Sequence, residues 1–359
     1  MEPEPINVAD YERIAAERLE AGPLGYFRGG AGDEFTMREN IAAYRRWALR
    51  PRVLVDVEKT TTATTILGRE VSMPILVAPV ALQAMAHPDG EAGMARAAAA
   101  VGTIMSLSTA ATTRPSEVAA AAPAGRRWFQ LYCFRDRGVT DALVSEAVES
   151  GFEAIVVTAD APRGGKRERD LRTGFRLPPG LGVPAVAAAV GAPTGLGISQ
   201  MFDLVDPSLG WSDIERLAAG SEVPVLVKGL LRGDDAELAV EHGAAGVVVS
   251  NHGGRQLDGA MATIDALPEV AEAVGGRCEI IVDGGVRRGS DILVALALGA
   301  TAVQVGRPAL WGLAVDGEAG ARRVLELLRE ELDVGLALLG CHSPAEVGRD
   351  RVRHVNAVL

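Results

Sequence analysis

From Pro74 to Val305 the chain repeats one order of elements: a short apolar run, a polar or glycine-bearing end, then an alanine- or leucine-rich stretch at helical spacing. The apolar runs are Ile75 to Ala78, Ile104 to Leu107, Trp128 to Leu131, Ala154 to Thr158, Val223 to Val227, Gly246 to Val249, Glu279 to Val282 and Ala302 to Val305. Helical patterns fit between them over Gly90 to Ala100, Arg114 to Ala121, Thr140 to Ser150, Asp234 to His242, Leu267 to Val274 and Ser290 to Leu298. A single helix between consecutive strands implies a parallel crossover, and about eight such units point to an α/β fold of the closed (β/α)8 TIM-barrel type. With 359 residues, 48% of them hydrophobic, the chain can bury a large core as one elaborated domain.

The flanks read differently. Residues 1–73 are expected to form an N-terminal helical cap. It has a helix over about Val8 to Glu20, ended by Gly22, Pro23 and Gly25, then a glycine-rich bend holding Tyr26. A second helix follows from about Glu34 to Trp47, and then a threonine-rich, hairpin-like segment. The barrel occupies 74–315, interrupted by one long connection after the fourth strand, whose part at about 171–210 is expected to be a mobile active-site lid. Leu177 to Met201 carries no charge, which raises membrane docking as an alternative. Pro178, Pro179, Gly180, Gly182, Pro184, Gly191 and Pro193 break it too often for a spanning helix. Residues 316–359 are expected to be C-terminal helices, with an amphipathic stretch over Glu318 to Leu339 that closes the barrel or forms a subunit contact.

A net charge of −11 argues against a nucleic-acid partner. Met1 to Asp10 lacks the basic start and apolar core of a signal peptide, so a cytoplasmic location is expected. Cys133, Cys278 and Cys341 are odd in number and far apart, and are read as reduced thiols with no metal site. No glycine motif in a suitable strand-to-helix setting favours a nicotinamide or ATP site.

In barrels of this type the chemistry sits at the C-terminal ends of the strands. The first strand delivers Pro79, Val80 and Ala81 there, the second Ser108 and Thr109, the third Gln130 and Tyr132, and the fourth Thr158, Asp160 and, past a turn, Arg167. The fifth delivers Lys228. The sixth breaks abruptly from Val247-Val248-Val249 into S-N-H-G-G-R, where His252 can take a proton near neutral pH and Arg255 can grip a carboxylate with two parallel hydrogen bonds. Taken alone, that segment is more often a strand end with a capping histidine and a solvated arginine. The seventh strand ends in Asp283, Gly284, Gly285 and Arg287, and the eighth in Gly306 and Arg307. These glycines and arginines suit a phosphate cradle.

The chain resembles the FMN-dependent L-2-hydroxy acid oxidase and dehydrogenase family over nearly its whole length. The matching stretches are Y-F-R-G-G-A at Tyr26, A-P-V-A-L-Q at Ala78, F-Q-L-Y at Phe129, T-A-D-A-P-R at Thr158, L-V-K-G at Leu226, S-N-H-G-G-R-Q-L-D-G at Ser250, D-G-G-V-R-R-G at Asp283 and V-G-R-P at Val305. The resemblance implies that His252 removes the substrate hydroxyl proton as a hydride equivalent leaves the α-carbon for the flavin, with Asp160 stabilising the imidazolium. It implies that Arg255 and Tyr26 hold the substrate carboxylate near Arg167, and that Tyr132 hydrogen-bonds the substrate oxygen. For FMN it implies that Lys228 faces the N1 and C2 edge and that Ser108, Gln130 and Thr158 bond the ring, with Pro79, Val80 and Ala81 beside it. Asp283 falls to the ribityl region, and Gly284, Gly285, Arg287, Gly306 and Arg307 to the phosphate.

One departure bears on the substrate. Ala110 stands where members acting on small substrates usually carry a bulky aromatic, and Gly164 where glycolate oxidase has a larger aliphatic residue. Both lean toward mandelate-like or long aliphatic 2-hydroxy acids. Dioxygen is the expected acceptor, with a quinone or cytochrome as the alternative; an FMN isomerase and a catalytically silent binding barrel are further rivals. The family also implies a homo-oligomer, a tetramer or octamer.

Overall fold

The computed structural model describes residues 4–192 and 195–356. Eight parallel strands close into a barrel: β1 (Ile75–Val77), β2 (Ile104–Ser108), β3 (Arg126–Leu131), β4 (Ile155–Thr158), β5 (Val225–Leu230), β6 (Gly246–Val249), β7 (Glu279–Asp283) and β8 (Ala302–Val305). β8 pairs with β1, so the ring leaves no open edge. Each strand expected from its apolar run is present, with ends shifted by at most three residues.

The strands are apolar on both faces because both are covered. Ile75, Val77, Met105, Phe129, Ile155, Val157, Val225, Val227, Val247 and Val249 pack with the surrounding helices in the main core. The alternate residues Leu76, Ile104, Trp128, Val156, Leu226, Val248, Ile281 and Ala302 form a second cluster inside the barrel, as the two-residue period requires. Ile66 and Val71, from the antiparallel hairpin Thr64–Ile66 and Arg69–Val71, join that inner cluster. Leu67 N donates to Glu279 Oε1 at 2.9 Å and Arg69 pairs with Glu153 at 2.8 Å, which fixes the hairpin across the N-terminal mouth. The expected hairpin is therefore a plug.

The flanks depart from expectation in three places. After α1 (Val8–Arg18), the segment expected as a glycine-rich bend is a helix, α2 (Ala21–Arg28), and Tyr26 sits on it. Pro23 lies in its first turn, where a missing N–H costs nothing. The next expected helix is divided: α3 (Phe35–Ala42) runs into a 3-10 turn at Ala43–Arg46 and a strand at Trp47–Leu49. That strand pairs with Val352–His354, so the C-terminal part is not helical throughout. The long final helix, Arg307–Leu339, bends at Asp316 and Gly317.

The expected lid contains three short helices, Glu168–Thr173, Pro184–Ala189 and Ile198–Leu204. Pro184 opens one of them instead of breaking it. Ala185, Val186, Ala187 and Met201 are buried, which accounts for the absence of charge there. Pro193 lies outside the described residues. Among the described residues no helix is long and apolar enough to cross a membrane.

Candidate active site

Continuing each strand two residues past the apolar inward layer reaches Ala78, Ser106, Gln130, Thr158, Lys228, Ser250, Asp283 and Gln304. The same face thus turns polar toward the C-terminal mouth. There it opens into a cleft of about 1080 Å3, counting its open side. The cleft is lined by Tyr26, Pro79, Val80, Ala81, Ser108, Ala110, Gln130, Tyr132, Thr158, Arg167, Lys228, His252, Arg255, Asp283, Gly284, Gly285, Arg287, Gly306 and Arg307. These are the residues expected there from the sequence; Phe27, Gly253, Val286, Gln304, Pro308 and Leu310 line the cleft as well. Asp160 stands behind this lining, bonded to His252.

His252 Nδ1 and Asp160 Oδ1 are 2.9 Å apart, so Nδ1–H donates to the carboxylate and Nε2 is the ring nitrogen left to accept a proton. Burial holds the imidazole below its ordinary pKa; Asp160 opposes this, while Lys228 and Arg255 add to it. Burial would raise the Asp160 carboxyl, but His252 and Lys228 outweigh it and keep the group ionised. The close approach depends on one glycine. Gly229 sits at a register shift between β5 and β6 with φ 110°, and a Cβ there would stand 2.6 Å from Asp160 Cβ. His252 itself has φ 59°, a left-handed backbone that costs a non-glycine residue on the order of 1 kcal/mol. Ser250 Oγ helps to hold the turn, accepting from His252 N at 3.1 Å and from Lys228 Nζ at 2.8 Å.

Lys228 is buried 3.2 Å from Asp283 Oδ2. Burial pushes its pKa down, and Asp283 and Asp160 more than reverse this, so the ammonium stays charged. Beside it, Ser108 Oγ donates to Gln130 Oε1 at 3.1 Å, and Gln130 Nε2 donates to Thr158 Oγ1 at 2.9 Å.

On the outer side, the Arg255 guanidinium lies 4.9 Å and that of Arg167 5.6 Å from the centre of the Tyr26 ring. Arg255 Nη1 donates to Tyr26 O at 2.6 Å and Gly29 O at 2.8 Å, leaving Nε and Nη2 for a ligand. Burial and the neighbouring Arg167 lower its pKa to about 10, still charged at neutral pH. Burial, with Asp160 nearby, raises the Tyr132 hydroxyl, which stays a donor. Arg307 donates to the carbonyls of Phe27, Gly253 and Gly29 at 3.0, 3.0 and 2.9 Å, so about two of its five N–H donors remain for an anion.

The lid and the loop after β6 add residues that sequence reasoning missed. Ile198 and Phe202 come from a lid helix and line the cleft, and Phe202 meets Tyr132 edge-on with ring centres 5.2 Å apart. Phe175 stacks on Tyr26 at 5.0 Å. Gln256 also lines the cleft, bonding the carbonyls of Asp160 and Arg163 at 2.8 and 2.9 Å. Its only sequence signal was its place in the S-N-H-G-G-R-Q block. Ala110 is buried in the wall as expected. Gly164 is not: it is exposed, nothing lies within 4 Å of a Cβ built on it, and it does not line the cleft. The enlargement expected there does not arise.

The site accepts a flavin mononucleotide on its own chemistry. Asp283 Oδ1 is buried and finds no hydrogen-bond partner among the described residues, as an acceptor waiting for a hydroxyl would be. Lys228 would offer fixed positive charge to a ring that gains electrons. Gly284 and Gly285, both with φ 89°, turn the backbone beside Arg287 and Arg307.

A closed barrel with a histidine–carboxylate pair, a buried arginine and a polar floor at one mouth fits a flavin enzyme acting on 2-hydroxy acids. The chain belongs to the FMN-dependent dehydrogenase family, whose model matches residues 15–354. Its cofactor is FMN, and its class is that of the 2-hydroxy acid oxidases and dehydrogenases. It is 49% identical to an L-lactate oxidase of Nostoc sp. over 94% of this chain and 95% of that one. It is 47% identical to 2-hydroxyacid oxidase 1 of Homo sapiens over 98% of each. Among solved structures, mandelate oxidase with benzoyl-formic acid superposes with a TM-score of 0.89 at 42% identity, covering 98% of both chains. An (S)-mandelate dehydrogenase mutant gives 0.91 at 35% identity, covering 98% of this chain and 100% of that one.

Proposed function

We propose that the enzyme oxidises an L-2-hydroxy acid larger than glycolate, mandelate-like or long-chain aliphatic, to the 2-keto acid, with dioxygen as acceptor and hydrogen peroxide as by-product. The observation that carries the reading is the His252–Asp160 pair facing Tyr26, Tyr132 and Arg255 across one cleft. Bound FMN supplies a two-electron acceptor. Arg255 and Tyr26 hold the substrate carboxylate with Arg167 beside them, and Tyr132 donates to the substrate oxygen. This fixes the hydroxyl toward His252 Nε2, which takes its proton while Asp160 holds the resulting imidazolium. Lys228 keeps positive charge under the cofactor.

Ala110 speaks for the larger side chain, since a methyl group stands where a ring would close the wall, and Ile198 and Phe202 offer apolar contact. Three free cysteines and a surplus of acidic residues fit a cytoplasmic protein, which we take to be a homo-oligomer. The test is a comparison of kcat/KM for (S)-mandelate, 2-hydroxyoctanoate and glycolate, with oxygen uptake recorded. The reading expects glycolate last and one oxygen consumed per keto acid formed. A glycolate preference sinks the substrate assignment, and turnover only with a quinone or cytochrome sinks the acceptor.

A further inference from the structure

Two separate loops of the site meet one side chain that does not line the cleft. Asn40, on α3, is 2% exposed. Its Nδ2 donates to Asn251 Oδ1 at 2.8 Å, and its Oδ1 accepts from Asn251 Nδ2 at 2.8 Å and from Thr263 N at 3.3 Å. Asn251 in turn donates to Met261 O at 3.0 Å and accepts from Gly254 N at 3.1 Å, so its amide uses all four of its positions. Those two backbone partners fix the orientation of the pair: turning Asn251 over would set N–H against N–H and oxygen against oxygen.

The same residue touches the cofactor side. Thr263 Oγ1 donates to Asp283 O at 2.5 Å. A Cβ on Gly284 would lie 3.2 Å from Asn40 Nδ2, and one on Gly285 would fall 2.0 Å from the Asn40 main-chain carbonyl oxygen. Gly284 therefore leaves room for the Asn40 amide, and Gly285 leaves room for the main chain of α3. Asn251 immediately precedes His252 in the loop that also carries Arg255.

We infer that Asn40 is a positioning residue: through the reciprocal pair with Asn251 it sets the proton-accepting loop, and through Thr263 and Gly284 it sets the turn that begins the cofactor cradle, so that one buried amide couples the two. A satisfied buried polar network of this kind specifies geometry because any partial loss leaves unpaired groups without water. The inference rests on the function proposed above for His252 and Asp283.

The test uses the holoenzyme of wild type, Asn40→Ala and Asn40→Asp. FMN release is followed by recovery of free-flavin fluorescence on dilution, and kcat and KM are measured separately at saturating added FMN. Asn40→Ala is expected to release FMN at least tenfold faster and, when saturated with FMN, to lose at least tenfold in kcat with a smaller change in KM. Asn40→Asp keeps both accepted bonds but sets a carboxylate oxygen against Asn251 Oδ1 in place of the donated one, so it should shift both quantities in the same direction. It decides the matter if the alanine variant does not fold. Wild-type release and wild-type kcat in a variant with only a lower melting temperature would overturn the inference, as would a change in one quantity without the other. If the wild-type flavin is reduced by no 2-hydroxy acid, the functional reading has failed instead, and the release rates still report on the cradle.

Discussion

The two ends of the barrel interior are built by the same strands with the same two-residue period, and they do opposite work. At the N-terminal end the inward positions are Trp128, Ile104, Leu226 and their neighbours, closed over by Ile66 and Val71 of the hairpin. Two residues further along each strand the inward positions become Gln130, Lys228, Ser250 and Asp283. Burial at one end excludes water to gain stability. At the other it raises the strength of every charge, so Lys228 and Asp283 must pair, and His252 is kept neutral beside an ionised Asp160. The difference teaches that stability and chemistry are separated along the strand axis, so substitutions at the two ends should fail in different ways.

The sharpest way to break that separation is at His252. His252→Gln is expected to lower kcat by about 10² to 10⁴-fold while FMN content and melting temperature stay near wild type. Flavin absorbance and calorimetry on the same sample check it, and a large stability loss with modest loss of kcat would contradict the division. Trp128→Ala, at the other end, should destabilise the protein by about 3–5 kcal/mol through lost contacts and a cavity. Its kcat when folded and FMN-saturated should stay within about twofold of wild type, read by denaturant titration alongside steady-state kinetics.

Asp160→Asn is expected to cost about 10²-fold in kcat/KM, since the imidazolium loses its partner. It also fixes a sign. Asp160 is the group that raises the His252 pKa against burial, so its removal lowers that pKa further. In wild type the base is neutral at neutral pH, and kcat/KM should fall as pH drops through a value below the ordinary histidine pKa of about 6.5. In Asp160→Asn that acid limb should move to lower pH; a move to higher pH would mean the limb belongs to another group. The smallest effect is at the wall. Ala110→Trp should cut the ratio of kcat/KM for mandelate over glycolate by about tenfold or more, with FMN binding unchanged.

The barrel was legible because each strand is a short apolar run with an abrupt polar end, and local pattern suffices for that. The strand-end site residues were legible for the same reason: Lys228 follows Val227 directly, His252 comes three residues after Val249, and both stand in the family's motifs. Tyr26 was placed in a bend because Gly22, Pro23 and Gly25 look like breakers, whereas a helix tolerates proline in its first turn. Phe202 and Ile198 were missed because the lid's apolar run shows no strand or motif from which to read direction. Asn40 was missed because its partner lies 211 residues away, a pairing that local pattern does not encode. Gly164 was misjudged for the converse reason: it lies between Thr158 and Arg167, which line the cleft, while its own backbone faces solvent.

The most direct test of the account is to mix the purified holoenzyme without oxygen with (S)-mandelate and, separately, with L-lactate, and to follow the visible flavin absorbance in wild type and in His252→Gln. The account predicts that the wild-type flavin bleaches, faster with mandelate, and that the variant binds FMN but bleaches at least 10²-fold more slowly. A wild-type flavin that stays oxidised with both acids, or a variant that bleaches as fast as wild type, would contradict it.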